Sequence, residues 1–138
     1  LTNTYALWVD AGNSRFDGSV LSTSASGGIG YATGAGGTVT QATDKSTGVA
    51  LNAVCGTIVM NNAQLVADTT VAFTLTNTSI AANDIVVVVH DLTGTLGAYS
   101  FAVTPAAGSA LISVHNLTPG NLSEAIRLRF AVIKGVVA

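Results

Sequence analysis

Two histidines, His90 and His115, a single cysteine, Cys55, and seven carboxylates are the side chains with which acid–base, nucleophilic or metal chemistry would have to begin. His90-Asp91 invites a triad reading, in which an acid orients an imidazole base. Neighbouring residues of a strand point to opposite faces, however, so these two side chains do not face each other. His115 ends another expected strand, and both histidines read as polar strand-end residues. Asp10, Asp17, Asp44, Asp68, Asp84, Asp91 and Glu124 are scattered, mostly at expected turns, with no carboxylate pair marked out for glycoside hydrolysis. Gly27-Gly28-Ile29-Gly30 and Gly34-Ala35-Gly36-Gly37 lack the GxxxxGK[ST] pattern and a helix to follow it. Cys55 lies in an apolar stretch and reads as a small core residue. The expectation is a non-enzyme with no catalytic residue, no bound cofactor and no metal.

The elements that must position these residues are strands. Thr70 to Thr76 alternates, with Val71, Phe73 and Leu75 on one face and Thr70, Thr74 and Thr76 on the other. Ile126 to Ile133 alternates as cleanly. Ile85 to Val89 is an unbroken β-branched run, which predicts a strand covered on both faces. Tyr99 to Val103 and Ala110 to Val114 are two more, joined by a turn over Thr104–Ser109. Val49 to Val54 and Thr57 to Met60 form a further expected pair, broken at Cys55-Gly56. Only Leu122 to Ala125 has a brief helical look, with Ser123 as its cap. Turn signals recur every 8–12 residues, which points to an all-β sandwich of jelly-roll type with about eight strands. Residues 1–37 differ. They read as an N-terminal arm and Gly/Ser-rich loop, with residues 38–138 as the sandwich domain. Tyr5, Leu7, Trp8, Val9 and Phe16 are the arm's candidate anchors on a protein partner, the alternative being that Leu7 and Trp8 fold back onto the chain's own sheet.

Composition narrows the partners. Only 9% of the 138 residues are charged, against about 25% in ordinary soluble domains. The place of charge is taken by Thr, Ser, Asn and Gly. Sheet faces built of hydroxyls and amides give up water more readily than faces of Lys and Glu, and interface cores are depleted of charge. A net charge of −2 offers no basic footprint for nucleic acid. No apolar run approaches the ~18 residues of a membrane helix, and no signal peptide is apparent at Leu1-Thr2-Asn3-Thr4. Arg127 and Arg129 share one strand face and read as solvated or salt-bridged. The N-x-[ST] triplets at Asn77, Asn116 and Asn121 are about as many as chance supplies in so Ser/Thr-rich a chain.

Two stretches carry a resemblance. Gly30-Tyr31-Ala32-Thr33-Gly34-Ala35-Gly36-Gly37-Thr38-Val39-Thr40-Gln41-Ala42-Thr43-Asp44-Lys45-Ser46-Thr47-Gly48-Val49 is similar to the opening of a small domain of tailed bacteriophages. Asn121-Leu122-Ser123-Glu124-Ala125-Ile126-Arg127-Leu128-Arg129-Phe130-Ala131-Val132-Ile133-Lys134-Gly135 resembles that domain's end. The family comprises capsid cement (decoration) proteins and domains attached to fibre-like virion proteins. The resemblance implies a jelly roll on the capsid exterior that bridges major capsid proteins, with a dimer as the favoured state. It also keeps open a receptor- or carbohydrate-binding module of a tail fibre or spike, for which Tyr31, Tyr99 and Phe101 would be the aromatic candidates, although Tyr99 and Phe101 share one strand face and read as core or sheet packing.

Overall fold

The computed structural model describes residues 11–12 and 14–136. It divides into two units, Leu1–Gly30 and Tyr31–Ala138. The described residues of the first unit hold no helix or strand. Their local order is a Ser24-centred turn, whose hydroxyl accepts from the Gly27 amide at 3.0 Å, and an Arg15–Asp17 ion pair at 2.7 Å.

The second unit is an eight-stranded β-sandwich. Its strands are β1 (Thr38–Thr40), β2 (Val49–Ala50), β3 (Cys55–Val59), β4 (Thr70–Thr76), β5 (Ile85–His90), β6 (Tyr99–Ala106), β7 (Ser109–Asn116) and β8 (Arg127–Ile133). One sheet has the order β1-β3-β8-β5 and the other β2-β4-β7-β6. Both are mixed, because β1 joins β3 and β2 joins β4 in parallel while the other pairings are antiparallel. No helix is present among the described residues, and hence none long and apolar enough to cross a membrane.

Alternation explains the core. Phe73 and Leu75 of β4, Ile112 and Val114 of β7, Ile58 of β3, and Leu128, Phe130 and Val132 of β8 are buried between the sheets in one cluster. Each buried side chain of this size stabilises the fold by about 1.5–3 kcal/mol relative to exposure. Leu122 does not begin a helical turn: it makes an isolated antiparallel bridge with Leu65, which is buried in the core.

Four further expectations are corrected. Val49–Val54 and Thr57–Met60 are not a pair, for β2 and β3 lie in different sheets and Cys55-Gly56 opens β3 instead of breaking it. Gly56 permits this, since a Cβ there would stand 2.7 Å from Leu51 Cδ2 and 2.8 Å from the Gly37 carbonyl. Cys55 is consequently half-buried on the outer side of its sheet, beside Gly36, and is not a core residue. Pro105 lies within β6 and not in a turn. That strand is a sheet edge, where a missing amide costs no ladder bond. Finally, β5 is covered on one face only, because a two-sheet sandwich packs only the inner face of each sheet: Ile85, Val87 and Val89 are exposed.

Candidate docking face

Of the arm residues proposed from the sequence, Tyr5, Leu7, Trp8 and Val9 lie outside the described residues. Phe16 lies within them, with its ring exposed. The aromatic candidates do not assemble into a platform. Tyr99 is buried, Phe101 packs against the core, and Tyr31 donates its hydroxyl proton to the Val132 carbonyl.

The two histidines are held separately. His90 Nε2 donates to the Thr93 carbonyl at 2.7 Å, and its ring meets Tyr99 and Phe101 edge-on at 5.7 and 6.1 Å. His115 has Thr70 Oγ1 2.9 Å from Nδ1 and Asp68 Oδ1 3.3 Å from Nε2. This is a hydroxyl–imidazole–carboxylate line of the kind that neither histidine's sequence context predicts. Asp68 is fully in solvent, its side chain 91% exposed, so water screens its pull on the imidazole. Among the described residues, no three of His, Cys, Asp and Glu gather as a metal cage would require.

The charged residues of the sandwich are committed to one another and to main-chain groups. Asp91, at the end of β5, takes Arg127 at 2.6 Å and Arg129 at 3.1 Å, so the Arg127/Arg129 face is salt-bridged. The Leu92 amide is the main cause of Asp91's depressed pKa, and the Arg127 guanidinium adds to it. Asp84 is buried and bonded to Lys134 at 2.7 Å, which with the Ala81 amide lowers its pKa. Glu124 accepts from the Thr95 amide and the Tyr99 hydroxyl, both at 2.8 Å. Those bonds outweigh the upward push of burial on its carboxyl, while burial and the same bond raise the Tyr99 phenol. Lys45 is 3% exposed, and its Nζ reaches the carbonyls of Asn61 at 2.5 Å and Glu124 at 2.6 Å. Asp44 caps its own turn through the Ser46 amide and hydroxyl.

The two sequence stretches of the resemblance therefore meet in space. Lys45 and Tyr31 of the first bond the Glu124 and Val132 carbonyls of the second. Two N-x-[ST] triplets serve the same framework. Asn77 and Asn116 are fully buried, and their side-chain oxygens accept the Ser79 and Thr118 amides. A glycan could not be attached to either without unfolding a strand end.

With these charges paired elsewhere, one broad face is left without a charged residue of its own, and the exposed Asp68 carboxylate stands at its His115 corner. On the β2-β4-β7-β6 sheet the outward positions are Thr70, Ala72, Thr74 and Thr76 on β4, Ser109, Leu111, Ser113 and His115 on β7, and Ser100, Ala102, Thr104 and Ala106 on β6. The central row, Ala72–Ser113–Ala102, consists of small residues in direct register. Hydroxyls and methyl groups thus cover a three-strand surface with no Lys, Arg, Asp or Glu among these twelve positions. The sequence shows the outward threonines of β4 plainly. It does not show that β6 and β7 lay matching rows beside them. Compared with protein-family models, curated proteins and solved structures, the chain finds no match in any of the three.

Proposed function

We propose that this chain is a structural virion protein that binds the outer surface of a bacteriophage capsid and cements neighbouring major capsid proteins, with no catalytic step. The observation that carries the reading is the neutral outer face of the β4-β7-β6 strands. Desolvating charged groups is a cost of protein association that this face avoids, since its twelve outward positions carry none of Lys, Arg, Asp or Glu. Small side chains in register keep it flat enough to lie against another protein. The resemblance of residues 30–49 and 121–135 to phage cement domains supports the partner class. Stabilisation would come from repetition: an interface of standard size, about 1,600 Å², formed at many lattice positions. Nucleic acid and membrane have no part in this reading.

Quantitative mass spectrometry of purified virions carrying the chain tests it. Hundreds of copies per particle are expected for a capsid-exterior protein. A few copies would instead assign the chain to a tail fibre or spike, and a glycan array with specific hits would then identify it as a receptor-binding module. Absence from the particle would end both readings.

A further inference from the structure

β5 is an edge strand without the protection that such strands usually carry. Of the four sheet edges, β1 has three residues, β2 has two, and β6 contains Pro105. β5 has six residues, Ile-Val-Val-Val-Val-His, with no charge, proline or glycine. Bare edges of this kind are templates for another strand.

The ladder fixes which backbone groups are on offer. The Asp91 amide donates to the Arg127 carbonyl at 2.7 Å, one position past the Val89–Arg129 and His90–Leu128 pairs. Antiparallel bonding alternates along a strand. Ile85, Val87 and Val89 therefore turn their main-chain groups towards β8, and Val86, Val88 and His90 turn theirs outwards. No described strand lies beyond them. On the outer face, Ile85 is 59% exposed, Val89 50%, Val87 42%, and Ile133 of β8, in register with Ile85, 53%.

We propose that a second copy of this chain occupies this edge, with the two β5 strands antiparallel about a two-fold axis at Val87, forming one continuous eight-stranded sheet. A charged partner finds nothing to pair with here, because β5 is neutral and the nearby Arg127 and Arg129 already hold Asp91. The edge is self-complementary. An axis at Val87 sets Val86 against Val88 of the other copy, so outward amides meet outward carbonyls, and it sets Ile85 against Val89. Moving the axis to Val88 would put Ile85 opposite Asp91, and moving it to Val86 would put Val88 opposite Asp84. A partner strand covers the β5 edge and the flanks of Ile85, Val87 and Val89, and leaves Ile133, one strand further in, uncovered. A seam of one strand pair is smaller than a standard interface, so the dimer depends on concentration. The seam lies on the other sheet from the neutral docking face, and it does not depend on the capsid reading.

The test uses the full chain in sedimentation velocity from about 1 to 500 µM. A reversible monomer–dimer equilibrium is expected, with the Val86 and Val88 amides gaining protection from hydrogen exchange as concentration rises. Val87→Lys should raise the dissociation constant at least tenfold while leaving the circular dichroism spectrum unchanged. Val87→Cys, made with Cys55→Ser, should form an intermolecular disulfide on mild oxidation. Opposed residues of a non-hydrogen-bonded pair lie about 4.5 Å apart, within disulfide reach. A monomer throughout the range overturns the proposal. So does a dimer that Val87→Lys leaves intact, or protection of Val86 and Val88 that does not vary with concentration, which would mean that the chain's own residues cover the strand. If Val87→Lys does not fold, the disulfide decides: no cross-link at concentrations where the dimer sediments overturns the pairing.

Discussion

Lys45 Nζ donates to the main-chain carbonyl of Glu124 at 2.6 Å, across 79 residues of sequence. The same ammonium takes the Asn61 carbonyl, and the carbonyls of Lys45 and Thr47 both accept from the Gln41 side-chain amide. One buried cation thus ties the loop after β1 to the segments that leave β3 and approach β8. Burial lowers the pKa of this amine, with the Glu124 carboxylate opposing that shift. A charged group is retained here because three segments of chain need a donor long enough to reach them.

Lys45→Met should therefore destabilise the sandwich by about 1–3 kcal/mol, since two buried carbonyls lose their donor while one desolvated charge is removed. Urea denaturation followed by tryptophan-independent circular dichroism measures it. The loss should grow with pH. The folded amine has the lower pKa, so the unfolded chain binds more protons between that value and the ordinary ~10.4, and native stability rises through this interval. Methionine has no such gain. A difference that is flat from pH 7 to 10.5 would show that the amine is not desolvated.

Gly56→Ala should cost about 1–3 kcal/mol, the range for forcing extra volume into a packed site. Its Cβ would meet Leu51 Cδ2 at 2.7 Å, the Gly37 carbonyl at 2.8 Å and Phe130 Cε1 at 3.0 Å. Leucine and phenylalanine could swing aside, but the carbonyl belongs to a main-chain bond, Gly37 O to the Thr57 amide at 2.8 Å. A thermal melt reads the effect directly, and Gly120→Ala is the control, since nothing stands within 4 Å of a Cβ there.

Acid should unfold the domain in a narrow interval. Asp84, Asp91 and Glu124 all have depressed folded-state pKa values. Their contribution is fully present above the unfolded values, about 3.9 for Asp and 4.3 for Glu, and is lost as pH falls through the folded ones. The melting temperature should be level above about pH 5 and fall steeply below about pH 4. In Asp84→Asn/Asp91→Asn, the plateau should be lower and the acid decline shallower. An unchanged decline would place the acid-sensitive groups elsewhere.

How much of this was legible follows from what alternation can and cannot encode. Thr70–Thr76 is β4 to the residue, because polar and apolar side chains take strict turns there. Ile126–Ile133 is β8 with one residue too many, for the same reason. The run Ile85–Val89 misleads, since uniform valine carries no face information and an edge strand with a bare outer face looks like a buried one. Lys45 gives no local signal either. Its burial depends on Asn61 and Glu124, and nothing in Asp44-Lys45-Ser46 indicates them. Asn77 and Asn116 did carry a signal in their N-x-[ST] triplets, but it reports a side chain capping the amide two residues on, as in an Asx turn, and not a glycan. The docking face is visible as one row of threonines, and only the register of β4, β7 and β6 turns three rows into a surface.

That surface yields the last prediction. Ala72 sits at the β4 end of the Ala72–Ser113–Ala102 row with its methyl group in solvent. Ala72→Lys adds a charge without touching the core, and exposed substitutions of this kind shift stability by no more than about 0.5 kcal/mol. If the face seats against capsid protein, the lysine must be desolvated opposite a surface selected for a neutral partner. Occupancy on virions should then fall by about tenfold or more, the loss expected when a charge is desolvated without a partner. The same substitution should leave β5 dimerisation unaltered, since Ala72 lies on the other sheet. Virions assembled with the variant chain, counted by mass spectrometry and heated alongside wild type, separate the outcomes. Reduced copy number with an unchanged melting temperature of the isolated protein assigns docking to this face. Full occupancy with a lysine at position 72 would mean that the capsid is met by some other surface.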